Sequence, residues 1–376
     1  MKKILFVINS LANGGAERAL VNLVNNLSKS DYEITLFTLY SSNIFDKQID
    51  EKVHYKYMFK EKGRFKRRLL LALFCRIIPK KILHKILFGK RYDYEIAFLQ
   101  GFPTDLIARS SNKQSQKITF VHSDFSTNFD VCKWYKDVKE CKSIYSKFDK
   151  VCFVSQTVKE GFNKTVGDSV AKQYVIHNVN DSQRILELAK EEIDNLSLST
   201  TEKRIVSVGR LIPIKAFDRI IYAIKRLRDE GVFVQCWIIG DGPERDRLKN
   251  LINDNGLQGV INLLGYQQNP YKFLRHGDLY VCSSTTEGYN TATVEALILG
   301  VPVLTTQVSG AEEIISSTNC GLIVENSNEG VYVGLKKLLT NNERLNQMKL
   351  SAKSRAKQFT TKEQMKEFIA MLKEGK

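Results

Sequence analysis

Two glutamates, Glu287 and Glu295, bracket the stretch E-G-Y-N-T-A-T-V-E, with seven residues between them. An apolar run, 278–282, ends shortly before Glu287, and a helix-like run, 292–299, contains Glu295. A strand, a glycine-containing turn and a helix start in this order leave backbone N–H groups free, which suits a phosphate or diphosphate. The carboxylates would repel a phosphate and suit hydroxyl groups instead. The stretch therefore predicts a ligand that carries both phosphates and hydroxyls, as a nucleotide-sugar does.

Two cations on a single loop form the second candidate cluster. Arg210 follows the strand-like run 205–208, and Lys215 lies five residues further along. An Arg guanidinium is a planar fork and a Lys ammonium is a point charge, so together they suit a diphosphate. Two solvated surface cations are the alternative interpretation. The nearby turn I-G-D-G-P-E, 239–244, is interpreted mainly as a helix start with Pro243 at the first position.

The first half of the chain offers two further candidates, each at the end of a strand-like run. Gly15 lies in the sequence N-G-G-A-E-R after the run 4–8, and glycines there let the backbone approach a ligand closely. The sequence is not G-x-G-x-x-G, so it does not support a dinucleotide-binding site. His122, in V-H-S-D, ends the run 118–122, and we give equal weight to a ligand contact and a structural role.

The elements that would position these residues alternate along the chain as in an α/β protein with parallel sheets. The polar segment 178–203, with a helical stretch at 185–193, separates two halves of about six strands each. The strand-like runs are 4–8, 34–39, 96–99, 118–122, 151–155, 174–176, 205–208, 234–239, 261–264, 279–282, 303–305 and 322–324. We therefore expect two Rossmann-like domains whose parallel sheets face each other across a central cleft that holds the ligand.

The net charge of +16 over 376 residues predicts anionic partners. The charge is concentrated between Lys60 and Arg91, where twelve Lys or Arg residues accompany one acid. Leu, Ile and Phe are interspersed among these cations, which predicts basic amphipathic helices, broken at Pro79, that dock on an anionic membrane. A solvated face over the N-terminal core is the alternative. Nucleic acid fits poorly because the sequence contains no recognition module.

The seven cysteines form no C-x-x-C pair, and several lie inside apolar runs. Reduced, buried thiols and a cytoplasmic protein are therefore expected. The apolar run 4–8 is too short for a signal peptide, and no run reaches the length of a membrane span. Together with the basic segment 60–91, these features predict a cytoplasmic protein that associates peripherally with the inner face of the plasma membrane.

The order of the motifs along the chain resembles glycosyltransferase family 4, which consists of retaining enzymes of GT-B architecture. The motifs are G-G-A-E-R, V-H-S-D, V-G-R-L with Lys215, I-I-G-D-G-P-E and E-G-Y-N-T-A-T-V-E-A. The resemblance spans about residues 3–325, and its more specific part lies in the second half. Within the family, the sequence resembles bacterial enzymes that build capsules and other cell-surface polysaccharides.

The resemblance implies a role for each candidate residue. Arg210 and Lys215 would hold the donor diphosphate. Glu295 would bind the ribose hydroxyls, Glu287 would contact the donor sugar, and His122 would lie over that sugar. The positions whose backbone would approach the phosphates or the sugar are Gly15, Gly288, Tyr289, Asn290 and Thr291. Glu287, His122, Arg210 and Lys215 are therefore the expected catalytic residues.

Three positions depart from the family pattern. Lys215 is followed by Ala216 where glycine is usual, N-V-N-D stands at 178–181 in place of N-G-I/V-D, and L-I-L-G stands at 297–300 in place of M-A-x-G. None of these changes removes a charged group. The sequence also contains no D-x-D, so we expect the cations to stabilise the leaving diphosphate without a metal and without a cofactor.

The sequence therefore predicts a retaining glycosyltransferase that moves a sugar from a nucleotide-sugar, expected to be a UDP-sugar, to a lipid-linked or glycan acceptor. The alternatives are a GT-B-like sugar-nucleotide epimerase and a catalytically silent partner subunit of a glycan-assembly complex. The expected domains are 1–179, on the acceptor side with the basic segment 60–91, and 180–355, which binds the donor. A C-terminal helix in 356–376 is expected to pack back on the N-terminal domain.

Overall fold

The computed structural model describes residues 1–12, 14–42, 44–60, 78–89, 91–127, 134–168, 171–193, 202–315 and 318–375. The chain divides into two compact units. Unit 1 comprises Met1–Val179 and Met365–Lys376, and unit 2 comprises Asn180–Gln364. None of the helices in the described part of the chain combines the length and the apolar character that crossing a bilayer requires.

The described strands of unit 1 form one parallel sheet in the order β3-β2-β1-β4-β5-β6-β7. These strands are β1 Lys2–Ile8, β2 Tyr32–Ser41, β3 His54–Lys60, β4 Tyr94–Ala97, β5 Gln116–Val121, β6 Lys150–Phe153 and β7 Lys172–Val175. The expectation of about six strands falls one short, because no strand-like run was assigned to β3. It has the sequence H-Y-K-Y-M-F-K and is partly exposed along its length. A half-exposed edge strand needs no continuous apolar run, so its pattern does not predict a buried strand.

Helices lie between most consecutive strands of unit 1 along the chain. They are α1 Gly15–Leu27, α2 Lys80–Leu87, α3 Phe102–Ala108, α4 Val138–Tyr145 and α5 Gln156–Val166. Asp137 and Ser155 cap α4 and α5, because each side chain accepts a hydrogen bond from a backbone N–H in the first turn. The basic segment 60–91 is described only in part, since residues 61–77 and Lys90 lie outside the described residues.

The described strands of unit 2 form a second parallel sheet in the order β10-β9-β8-β11-β12-β13. These strands are β8 Lys203–Val208, β9 Val234–Ile239, β10 Ile261–Gly265, β11 Leu279–Cys282, β12 Val303–Thr306 and β13 Gly321–Val324. The order reverses between β8 and β11, which makes their carboxyl ends the expected ligand position in a sheet of this kind. The prediction of two Rossmann-like domains with parallel sheets is confirmed.

The helices of unit 2 differ from the sequence expectation at two ends. They are α6 Ser182–Leu188, α7 Phe217–Asp229, α8 Arg245–Asp254, α9 Tyr271–Leu274, α10 Thr291–Ile298, α11 Ala311–Ile315, α12 Asn328–Leu339 and α13 Asn342–Ala356. Helix α6 ends at Leu188 and does not extend to residue 193. The Leu188 carbonyl accepts a hydrogen bond from Asn269 Nδ2 at 2.7 Å. Pro243 precedes α8 by two residues and is not its first position.

The last helix, α14, spans Thr361–Lys373. Its residues up to Gln364 belong to unit 2, and those from Met365 onwards belong to unit 1. Phe368 stacks on Phe6, with ring centroids 6.3 Å apart. The buried Lys150 donates from Nζ to the carbonyl of Met371 at 2.6 Å and to that of Glu374 at 2.5 Å. A cation at the C-terminal end of a helix satisfies carbonyls that have no partner within the helix.

Candidate functional site

The loops that follow β8 and β11 meet at the point where the strand order of unit 2 reverses. The hydroxyl of Ser283 donates to the carbonyl of Lys215 at 2.9 Å, and the backbone N–H of Thr285 donates to the carbonyl of Ile214 at 2.8 Å. These bonds fix one loop against the other. They bring Lys215 Nζ to 2.6 Å from Glu287 Oε1, although the two residues lie 72 positions apart.

The carboxylate of Glu287 is held through one of its two oxygens. Oε1 accepts from Lys215 Nζ at 2.6 Å, from Ser284 Oγ at 2.6 Å and from Asn290 Nδ2 at 2.9 Å. Oε2 accepts no hydrogen bond within the part of the chain that the structure describes. One oxygen thus positions the side chain and leaves the other available to a ligand hydroxyl.

The ammonium of Lys215 stays charged despite its position. Burial lowers the pKa of Lys215, but the neighbouring Glu287 carboxylate more than offsets this, so the net shift is upward from 10.5. The side chains of Lys215 and Glu287 are 23% and 11% exposed, respectively. A half-shielded pair of this kind is a stronger electrostatic element than an exposed surface pair.

Asn290 links Glu287 to the helix that follows. Its Nδ2 donates to Glu287, and its Oδ1 accepts from the backbone N–H of Thr293 at 3.0 Å, which caps α10. The expectation that the helix start leaves its N–H groups free is therefore wrong for Thr293. Ser284 was not singled out from the sequence. Its position two residues beyond β11 was the available signal, because residues that contact ligands lie at the carboxyl ends of the strands in sheets of this kind.

Glu295 lies in the second turn of α10 and is buried, with 5% of its surface exposed. Its Oε1 accepts from the hydroxyl of Tyr271, the first residue of α9, at 3.1 Å. Tyr271 was also missed by the sequence analysis, since nothing near it in the sequence marks it. The tyrosine holds Glu295 in place, while Glu287 is held by a different set of donors.

Arg210 is exposed on a loop whose backbone is fixed. The N–H of Gly209 donates to the carbonyl of Ile239 at 3.0 Å, and the N–H of Leu211 donates to that of Asp241 at 3.0 Å. Gly240 makes this pairing possible, because a Cβ at its φ of +142° would lie 1.9 Å from the Gly209 oxygen. Arg210 forms no ion pair within the described residues. Its guanidinium is thus available to an anion.

Ala216 directly follows Lys215 and has left-handed backbone angles, φ 46° and ψ 47°. Among the described residues it is the one non-glycine residue with positive φ. This conformation explains why glycine suits the position and costs an alanine about 1–2 kcal/mol. The strain lies between the 3₁₀ turn Pro213–Lys215 and the start of α7, so it is stored beside the lysine.

The turn before α10 rests on a glycine of another loop. Gly310 has φ +77°, and a Cβ there would lie 2.9 Å from the Gly288 oxygen and 3.1 Å from Cδ2 of Tyr289. Tyr289 is buried. Thr291 is the first residue of α10. The turn 288–291 therefore has a packed underside.

The two candidates in unit 1 both follow strands of its sheet. Gly15 is the first residue of α1, which has no side-chain cap. The ring of His122 lies 4.9 Å from that of Phe98 and 6.1 Å from that of Phe120. Burial lowers the pKa of His122 to about 4, partly offset by the Phe98 backbone, so the imidazole is neutral at pH 7. Neither ring nitrogen makes a well-formed hydrogen bond within the described residues.

A metal site is not evident in the described ranges, which bring together no group of three His, Cys, Asp or Glu side chains that could hold an ion. The cysteines described, such as Cys282 beside Asn290, are buried free thiols. Burial raises the pKa of the Cys282 thiol. This thiol is therefore protonated and packs beneath the Glu287 loop.

Two family models match the chain. The model described as "Glycosyltransferase Family 4" matches residues 13–184, and "Glycosyl transferases group 1" matches residues 189–355. Together they span most of both units.

Relatives and solved structures of known name match over nearly the whole chain. N-acetylgalactosamine-N,N'-diacetylbacillosaminyl-diphospho-undecaprenol 4-alpha-N-acetylgalactosaminyltransferase of Campylobacter jejuni is 28% identical, over 96% of this chain and 96% of its own. A second C. jejuni protein, an alpha-1,4-N-acetyl-D-galactosaminyltransferase whose name contains PP-undecaprenol, is 25% identical over 100% of this chain and 99% of its own. The crystal structure of Anabaena HepE in complex with UDP has a TM-score of 0.75 at 17% identity and covers 99% of both chains. The last likeness concerns the fold.

Proposed function

Because the chain belongs to glycosyltransferase family 4 and is a glycosyltransferase of GT-B fold, we propose that it transfers a sugar from a UDP-sugar to a lipid-linked or glycan acceptor, with retention of configuration, in cell-surface polysaccharide synthesis. The observation that carries the proposal is the Lys215–Glu287 pair at the point where the strand order of unit 2 reverses. A cation for the diphosphate and a carboxylate for the sugar stand next to each other there. The diphosphate and the sugar are the two parts of the donor on either side of the bond that a glycosyltransferase breaks.

The leaving diphosphate gains negative charge as that bond breaks. Lys215 and the exposed Arg210 would stabilise this charge more in the transition state than in the ground state, which is the condition for catalysis. The fixed backbone of the Arg210 loop supports this role, because it holds the point from which the arginine side chain would reach the diphosphate. We propose that these cations act without a metal.

Glu287 would accept a hydroxyl of the donor sugar through Oε2. Support comes from the three donors on Oε1, which orient the carboxylate and leave its second oxygen without a partner in the described residues. Glu295 would accept the ribose hydroxyls, with Tyr271 as its positioning residue. The turn Gly288–Thr291 and Gly15 would present backbone N–H groups to phosphates or sugar.

His122 would donate to or accept from a hydroxyl of the sugar as a neutral imidazole. The low pKa of about 4 supports this assignment, since the ring does not carry a charge at the pH of a cell. Its two nitrogens have no well-formed hydrogen bond in the described part of the chain. A ligand hydroxyl would satisfy one of them.

The donor and acceptor classes are inferred from relatives. HepE, which shares the fold over 99% of both chains, was crystallised with UDP. The names of both C. jejuni relatives contain undecaprenol carrying a diphosphate. A membrane-bound acceptor of this kind would place the protein at the cytoplasmic face of the plasma membrane. The segment 60–91 would then make the contact, a proposal that rests mainly on its sequence because residues 61–77 lie outside the described ranges.

The decisive experiment is a panel of UDP- and GDP-sugars, each assayed with and without an undecaprenyl-diphosphate-linked acceptor. Sugar transfer that needs the acceptor and continues in excess chelator is expected. Conversion of a nucleotide-sugar without acceptor would identify an epimerase instead. If no nucleotide stabilises the protein against heat at saturating concentration, the chain is a silent subunit and the proposal fails.

A further inference from the structure

A basic pocket with a volume of about 620 Å³ lies in unit 1. Its side chains include six cations, which are Lys80, Lys81, Arg109, Lys113, Lys117 and Lys147. Lys113 and Lys117 lie where the chain enters β5, and Lys147 lies just before β6. The pocket is therefore at the amino edge of the sheet, opposite the carboxyl ends that Gly15 and His122 follow.

Cations outnumber acids among the described residues that line this pocket. Asp105 is the one carboxylate among the described residues that line it, and it is engaged by Arg109 Nε at 2.7 Å. Burial and the positive charge of Arg109 lower the pKa of Lys147, and Lys117 adds to this effect, although Asp105 and Glu140 oppose it. A bound anion lowers the electrostatic repulsion between cations that line a concave site.

The helix beside the pocket exposes apolar side chains. Ile82 is 52% and Ile86 is 70% exposed on α2, one turn apart, and Lys81 and Lys85 are exposed next to them. Large apolar residues flanked by lysines are typical of a helix that lies at a membrane interface. A soluble phosphate would make no use of the two isoleucines, and neither would a nucleic acid backbone.

We propose that this pocket binds the phosphate head group of an anionic membrane lipid, with Ile82 and Ile86 entering the adjacent acyl region. The inference deepens the proposed membrane contact of the segment 60–91 by adding a defined pocket. Four of its six cations, Arg109, Lys113, Lys117 and Lys147, lie outside that segment. It does not require the nucleotide-sugar chemistry of unit 2, so the two proposals can fail separately.

The test is co-sedimentation of the whole chain with phosphatidylcholine vesicles, with and without phosphatidylglycerol. The pocket variant replaces Lys113, Lys117 and Lys147 by Gln. The control variant replaces three exposed lysines of unit 2 by Gln and changes the net charge equally, at Lys249, Lys337 and Lys362. We expect the parent to bind the anionic vesicles, the pocket variant to bind them on the order of 100-fold more weakly, and the control variant to bind like the parent.

Three outcomes would overturn the proposal that the pocket binds a lipid head group. Equal losses in both variants would mean that net charge alone attracts the protein. Unchanged binding of the pocket variant, together with loss on Arg67→Gln and Arg68→Gln, would assign the membrane contact to the segment 60–91 alone. Stabilisation of the parent, but not the pocket variant, against heat by inorganic phosphate, with vesicle binding equal in both, would identify a site for free phosphate. Weaker binding of Ile82→Gln with Ile86→Gln would further support the lipid.

Discussion

Lys215 and Glu287 form an ion pair, with Nζ of the lysine 2.6 Å from Oε1 of the glutamate. Their ion pair connects the loops after β8 and β11, and the carboxylate balances the positive charge that the lysine keeps. The proposed donor would place its phosphates on the lysine side and its sugar hydroxyls on the glutamate side. The pair would therefore orient a nucleotide-sugar along one direction, since the opposite direction would set phosphate against carboxylate.

Lys215→Ala is expected to lower kcat/KM by about 10- to 150-fold, which corresponds to about 1.5–3 kcal/mol for a hydrogen bond to a charged group. The loss should appear mainly in kcat, because the charge on the diphosphate grows in the transition state. Lys225→Ala is the matched control, since that lysine pairs with Asp229 on the surface of the same unit. Parental activity in Lys215→Ala would contradict the assignment.

Ser284→Ala is expected to lower kcat with little change in the affinity for free nucleotide. The substitution removes one of the three donors on Glu287 Oε1, so the carboxylate loses orientation while the nucleotide contacts remain. Ser284→Thr keeps the hydroxyl and should restore most of the activity. Steady-state kinetics with calorimetric titration of UDP separates the two effects. A Thr variant as slow as the Ala variant would show that packing, and not the hydrogen bond, matters.

Glu295→Gln should weaken nucleotide binding by about 10-fold or more, because the hydroxyls of a ribose would lose a charged acceptor. Tyr271→Phe should act in the same direction with a smaller effect, since the tyrosine only positions the carboxylate. Titration calorimetry with UDP and with uracil measures both. Uracil binding equally weakened in both variants would indicate a general collapse of the pocket and count against a ribose contact.

Ala216→Gly should raise the free energy of unfolding by about 0.5–1 kcal/mol. The left-handed backbone costs alanine about 1–2 kcal/mol, which glycine would not incur. The greater conformational entropy of glycine in the unfolded chain offsets about 0.4–1 kcal/mol of this stabilisation. Ala223→Gly, within α7, is the control and should destabilise by about 1 kcal/mol. Urea unfolding gives both signs. Destabilisation by the first substitution would show that the local backbone relaxes around alanine.

The stability of the protein should decrease below pH 6.5 through His122. Its pKa is 6.5 in the unfolded chain and about 4 in the folded one, so the unfolded state binds more protons between these values. The contribution is fully present above pH 6.5 and falls by up to about 3 kcal/mol as the pH reaches 4. A His122→Asn variant should have a shallower pH profile over that interval. Identical slopes for both proteins would mean that the ring is accessible to protons in the folded state.

The strand ends, and with them Lys215 and Glu287, were predictable because apolar runs and glycine turns are local features. The pair itself could not be predicted as a contact, because it depends on β8 and β11 being neighbours across 72 residues. Tyr271 was missed for the same reason: its partner Glu295 is reached through tertiary packing. Strand β3 was missed because an edge strand can be polar. The strained Ala216 was visible only as a departure from glycine.

The hydrogen bonds from Lys150 to α14 have a consequence for how the chain is made. Residues 365–375 complete the core of unit 1 but are synthesised after all of unit 2. Phe6 and Phe120 therefore cannot pack against Phe368 until the last helix has been made. Unit 1 therefore cannot finish folding on the ribosome before unit 2 has been translated. Expressed as residues 1–179 alone, it would expose an apolar surface to aggregation, and a tag or truncation after residue 360 would act first on the N-terminal half of the protein.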